Sequence, residues 1–328
     1  MNVEAFTLGG TIIYWDSVIL ALGLCTCGLF TAAFYRGCGG RRGVVSMLFL
    51  LALVLGIGFA RGLYWCCHIE QFSGLWAALT DYSVAGLSLP GAFVGTALAV
   101  LILKWSGAER SSGLLFDCLA PGAALGLAII RLSMLFNTGC RSKIVISDPA
   151  LQHLPLASEI PAGVGLTEYR FATFFVEAIA FFVIFLLLVW LFGARRTIRC
   201  GKGGSIGLLF LLLYAAVELV GDSTRYDALF FTFNAFISVV QMFSAIAMFA
   251  VVLVFSIRSV RRCGLRPWHG VLWLIFLAAL GCCGYLEYLV QRHGNWYLQC
   301  YSLMSLGSLL VVGCGMILYH SACAEDGE

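Results

Sequence analysis

Residues 171–193 read FATFFVEAIAFFVIFLLLVWLFG, an apolar run in which Glu177 is the one charged residue. A helix crosses the hydrocarbon core of a bilayer in about 20 residues, so this run predicts a transmembrane helix. An ionised side chain at the bilayer centre costs about 2.5–3.5 kcal/mol even on the generous insertion scale. Glu177 therefore needs partners from other helices.

The same reading extends outward along the chain. Nine apolar stretches predict spans at roughly 11–35, 44–66, 86–104, 114–136, 171–193, 205–221, 233–257, 268–290 and 297–320. Over 328 residues, 61% are hydrophobic and 11% charged, against roughly 25% charged in an ordinary soluble domain. That composition excludes a soluble globule and a disordered chain. A net charge of +3 supplies no basic face for nucleic acid. The expected fold class is an all-α polytopic integral membrane protein. The first apolar run is too long for the core of a cleavable signal peptide and has no basic residue before it. The 14 Cys lie mostly in apolar runs, where Cys behaves as a small hydrophobe, so neither a zinc site nor a disulfide framework is expected.

Thirteen of the 20 Lys and Arg fall in the connections after spans 1, 3, 5 and 7, from Arg36 through Lys104 and Arg195 to Arg266. The positive-inside rule then puts the N-terminus outside and the C-terminus inside. The longest connection, about 138–170, is expected outside, with chain breakers near Pro149, Pro155, Pro161 and Gly163.

The remaining charges mark a site. Arg61, Arg131, Arg170 and Arg225, with Asp16, Glu177, Glu218, Asp222 and Asp227, lie in or beside the outer parts of spans 1, 2, 4, 5 and 6; Asp117 lies near an inner end. Glu218, Asp222 and Arg225 stand at i, i+4 and i+7, one face of a helix. Ion pairs that only fix packing need not share one depth, so the common depth favours a polar cavity facing the outer leaflet. Guanidinium groups there suit phosphate, which they hold bidentately. No metal-ligand, nucleophile-elbow, P-loop or dinucleotide motif is present, and no cofactor is expected.

Several short stretches then resemble one family. They are Tyr14-Trp15-Asp16-Ser17, Ala60-Arg61-Gly62-Leu63-Tyr64-Trp65, Gly86 through Gly95, Arg131 through Gly139, Arg170 through Glu177, Glu218 through Asp227, and Gln241-Met242-Phe243-Ser244. In order and span placement the chain resembles bacterial prolipoprotein diacylglyceryl transferase from about residue 10 to 257. Pro90 stands where that family has a histidine, Met134 where it has an Asn, Gly139 where it has a Glu, and Glu218 where it has an Arg. The resemblance implies a seven-helix core over 1–257; the two further apolar spans and a short cytoplasmic tail over 258–328 depart from it. It implies transfer of a diacylglyceryl group from phosphatidylglycerol to the cysteine thiol of a lipoprotein precursor, in a bacterial cell membrane. The alternative is a non-catalytic phospholipid-binding or lipid-moving protein. The expected catalytic residues are Arg131, Glu177, Asp222 and Arg225. Arg61, Asn137, Arg170, Asp16, Asp227 and Gln241 are expected to bind substrate.

Overall fold

The computed structural model describes residues 4–81, 86–136, 142–153, 156–163, 166–193, 203–226, 228–231, 236–294 and 296–323. Nine apolar helices occur among them: α1 (Trp15–Gly37), α2 (Val44–Cys67), α3 (Leu89–Trp105), α4 (Ser112–Leu132), α5 (Thr173–Gly193), α6 (Ser205–Gly221), α7 (Val239–Cys263), α8 (Pro267–His293) and α9 (Tyr297–Cys323). Eight are long and apolar enough to cross a membrane. The ninth, α3, has 17 residues, at the lower edge of the spanning range of about 17–25.

Each predicted span has its helix, but the first and seventh helices start later than their predicted spans. Residues 11–14 belong to a strand, β2 (Thr11–Tyr14), which pairs antiparallel with β1 (Glu4–Leu8). The turn between them is Gly9-Gly10, with φ of +58° and +87°. Only glycine takes two such consecutive angles at little cost, which makes a tight two-residue hairpin. The first helix therefore starts at Trp15. The seventh starts at Val239, where Ser238 and Gln241 form a reciprocal capping box. The long connection also has structure of its own: β3 (Ala157–Gly163) pairs with β4 (Leu166–Phe171), Val145 bridges to Arg170, and Ser142 bridges to Arg225.

Side-chain periodicity decides what each helix faces. On α5, Phe174, Glu177, Ala178, Phe181, Ile184, Leu188 and Leu191 are buried, while Val176, Ile179, Val183, Leu186 and Trp190 are exposed. The sequence spacing thus separates an inward stripe that includes Glu177 from an outward apolar face suited to lipid. Glycine allows close helix crossings. A Cβ on Gly122 would lie 2.6 Å from the Cys27 carbonyl oxygen, and one on Gly126 would lie 2.8 Å from that of Gly23. Helices α1 and α4 therefore meet backbone to backbone, as small residues four apart permit. At the centre, α6 is packed by α4, α5, α7 and α9, and Leu209, Leu212, Tyr214, Ala215 and Glu218 are fully buried. Both of its ends carry buried charge, and one end carries most of it.

Candidate active site

The C-terminal end of α6 gathers charge from three directions. Helix α4 brings Arg131 in its last turn, α5 brings Glu177 in its second turn, and α6 brings Glu218. A short helical turn, 222–224, then presents Asp222 and leads to Arg225. The Arg131 Nε atom lies 2.8 Å from Glu177 Oε2, and its Nη2 donates to Glu218 Oε1. Arg225 Nη2 donates to Glu177 Oε2 and lies 3.5 Å from Glu218 Oε2. Arg225 Nη1 lies 3.6 Å from Asp222 Oδ1. The second Asp222 oxygen accepts from the Ser238 hydroxyl. None of the five side chains is more than 9% exposed.

Local sequence explains how the groups fit. Gly221 leaves the space that Glu177 fills: a Cβ there would collide first with Glu177 Oε1. Gln241 bonds the Ser238 main chain and reaches the Leu219 carbonyl at 3.2 Å. It thereby fixes the serine that meets Asp222. The Tyr214 hydroxyl, one turn before Glu218, is buried with no hydrogen-bond partner among the described residues. Arg225 Nε is in the same position. These are polar atoms available to a further group. With every member ionised the five groups sum to −1, so the two arginines leave one carboxylate incompletely neutralised. That carboxylate is Asp222, because the closer arginine contacts go to Glu177 and Glu218.

The other expected site residues are placed differently. Arg61 is buried, and its guanidinium donates to three carbonyls, those of Ala78, Asp81 and Gly86. It lies over the rings of Tyr64 and Phe72 and ties down the segment between α2 and α3. Arg170, on β4, pairs with Glu168 at 2.7 Å, donates to the Ser142 carbonyl at 3.3 Å, and sits 4.4 Å over the Tyr226 ring. It is next to the cluster through Tyr226, on the flap of residues 142–171. Asp16 is half-buried and accepts from Ser17 N in its own first turn. Asn137 and Asp227 lie outside the described residues. Glu218 is the central carboxylate, a residue that the sequence marks as one of the site's charges without assigning it a catalytic or binding role. Its spacing with Asp222 and Arg225 was the available signal. Ser238 gave no signal beyond its place before a helix.

Known proteins share this arrangement of sequence. Residues 3–257 match the family model for prolipoprotein diacylglyceryl transferase. The chain belongs to the prolipoprotein diacylglyceryl transferase family. Similar proteins named phosphatidylglycerol–prolipoprotein diacylglyceryl transferase include those of three bacteria. That of Dehalococcoides mccartyi is 27% identical over 221 residues, 66% of this chain and 80% of the relative. That of Prochlorococcus marinus is 25% identical over 248 residues, covering 69% and 79%. That of Clostridium kluyveri is 24% identical over 231 residues, covering 70% and 87%. Family membership makes the chain a multi-pass membrane transferase, and every residue of the buried cluster lies inside the matched region. Helices α8 and α9 lie beyond it.

Proposed function

We propose that the chain transfers the diacylglyceryl group of phosphatidylglycerol to the cysteine thiol of a lipoprotein precursor. The observation that carries this reading is the buried pair Arg131 and Arg225, held by three carboxylates at one end of α6. In this reaction the acceptor S–H loses its proton and sulfur bonds to the terminal glyceryl carbon. The bond from that carbon to the phosphate oxygen breaks, and glycerol phosphate leaves with the electron pair. Negative charge therefore builds on phosphate oxygens. Fixed guanidinium donors in a dry site stabilise such charge far better than water-exposed ones do.

Roles follow from the partners. Arg225 has an unengaged Nε and the more exposed side chain of the two arginines, so it meets the phosphate first. Arg131 is locked between Glu177 and Glu218 and sets the field behind it. Asp222, the least neutralised carboxylate, takes the thiol proton, either directly or through one water. Arg170, on the flap beside Tyr226, guides the headgroup. The N-terminus lies outside and the C-terminus inside the cytoplasmic membrane of a bacterial cell. This orientation faces the cluster toward the outer leaflet.

The test is reconstitution of the purified chain in phosphatidylglycerol vesicles with a peptide carrying a lipobox cysteine. The expected result is a thioether-linked diacylglyceryl peptide and one glycerol phosphate per transfer. A chain that binds the lipid but never modifies a thiol would make it the lipid-binding alternative. Tags in residues 142–153 should react from outside, and tags on the α7–α8 connection from inside. The reverse pattern would remove the outer-leaflet donor.

A further inference from the structure

Helices α8 and α9 lie outside the family match, yet α9 touches the turn that presents Asp222 and Arg225, and α8 touches a segment bonded to that turn. The Tyr301 hydroxyl of α9 donates to the Ser223 carbonyl at 3.2 Å. On α8, Gln291 Nε2 donates to Glu287 Oε1 at 2.8 Å. The same Gln291 accepts from Lys143 Nζ at 3.3 Å through its amide oxygen. Lys143 belongs to the 142–146 segment of the flap, and its backbone N–H donates to the Thr224 carbonyl at 2.7 Å. Glu287 is 3% exposed, and its Oε2 has no hydrogen-bond partner among the described residues. An apolar helix thus carries a costly buried carboxylate whose reach ends at a lysine beside the site.

This relay has one polarity. A carboxylate only accepts and an ammonium only donates. The amide between them must therefore turn its NH2 to Glu287 and its oxygen to Lys143. Lys143 keeps two further N–H groups and is half-buried. Burial lowers its proton affinity below that of an ordinary lysine, while the Glu287 and Asp222 carboxylates act in the opposite direction. The ammonium is thus within electrostatic reach of both carboxylates. Without it, an approaching phosphate meets a five-residue cluster with formal charge −1.

We propose that Lys143 is a third cationic contact for the phosphate of the donor lipid, and that Gln291 and Glu287 of α8 are its positioning residues. The inference rests on the phospholipid-donor reading of the same site. It gives the C-terminal helix pair a share in the site: α8 orients the lysine and α9 holds the turn.

The test reads binding separately from turnover, with the full chain in vesicles. The probes are phosphatidylglycerol, diacylglycerol lacking the phosphate, and soluble glycerol phosphate. Lys143→Met should weaken phosphatidylglycerol binding about tenfold, the loss of one hydrogen bond to a charged group. Diacylglycerol binding should be unchanged, and Lys143→Arg should restore most of the affinity. Competition by glycerol phosphate should weaken in parallel, because both molecules share the phosphate. Glu287→Gln should weaken binding about threefold in the native background and not at all in Lys143→Met. Unchanged phosphatidylglycerol affinity in Lys143→Met would overturn the proposal, and so would an equal loss for diacylglycerol. A native chain that binds phosphatidylglycerol without transferring it would sink the transferase reading alone, with Lys143 still decided by affinity.

Discussion

At the N-terminal end of α6, Asp117 of α4 accepts from Gly204 N at 2.7 Å and Gly207 N at 2.8 Å. At the C-terminal end, Glu177, Glu218 and Asp222 face Arg131 and Arg225. Both ends bury carboxylates, but the helix treats them oppositely. Its N-terminus exposes main-chain N–H groups and the positive end of the dipole, which suit an anion. One carboxylate completes that end, and Gly113 against Gly203 and Gly204 lets the two backbones close on it. The C-terminus favours cations. Two carboxylates at the end of α6 run against that preference and persist only because two arginines are buried with them. A structural anchor follows local physics, whereas a group of charges set against it marks a site with another task.

The contrast is broken most forcefully at Arg131. Arg131→Ala leaves Glu177 and Glu218 sharing Arg225 in a buried setting. Removing one partner of a buried pair costs about 3–5 kcal/mol, so thermal unfolding in detergent should shift strongly and turnover should vanish. Arg131→Lys keeps the charge but cannot make two fixed contacts at once. It should regain stability more than activity. Full turnover in either variant would mean that the cluster only fixes packing.

Asp222→Asn is the next largest test. It preserves shape and the Ser238 contact while removing charge and basicity. A general base contributes about 10²–10⁴-fold, so turnover should fall within that range while phosphatidylglycerol binding holds or tightens as the cluster moves from −1 to 0. Unchanged turnover would move the proton acceptor to Glu177 or Asp227. Asp117→Asn belongs to the other end of the helix. The amide keeps one acceptor oxygen for one of the two glycine N–H groups but loses the second acceptor and the charge, and stability should fall by about 1–3 kcal/mol. Turnover per folded molecule should not change. A selective loss of activity in that variant would show the two ends of α6 to be coupled.

The sequence made the nine helices readable because apolar length is a local property. It did not separate Arg61 from Arg131. Both are lone arginines late in an apolar span, and only the tertiary structure directs one to the carbonyls of 78–86 and the other to two carboxylates. Glu218 was visible by its i, i+4, i+7 spacing, but its central place depends on α4 and α5 arriving from elsewhere in the chain. The Gly9-Gly10 turn carried a local hairpin signal that the hydropathy of residues 11–14 masked. Glu287 could have been noticed, since it is a lone carboxylate in an apolar span. Its meaning required Lys143, which is distant in sequence and joined to it through Gln291.

The smallest expected effect is at Asp16, and it sharpens the comparison by what should not happen. In sequence, Asp16 looks like a member of the same outer set as Glu177, because it opens a span and follows a tryptophan. In the fold it is half-buried and, among the described residues, bonds only within its own turn, to the backbone and hydroxyl of Ser17. It sits at the N-terminal end of α1, where a carboxylate meets the favourable end of the helix dipole at a gain of about 0.3–1 kcal/mol. Asp16→Asn retains an oxygen for Ser17 N and gives up only the charge. Stability should therefore change by no more than about 1 kcal/mol, and phosphatidylglycerol affinity and turnover should match the native chain. A large loss of turnover with normal folding would mean that α1 closes onto the cluster during the reaction. The site would then include a carboxylate that the resting structure leaves half-buried at the start of α1.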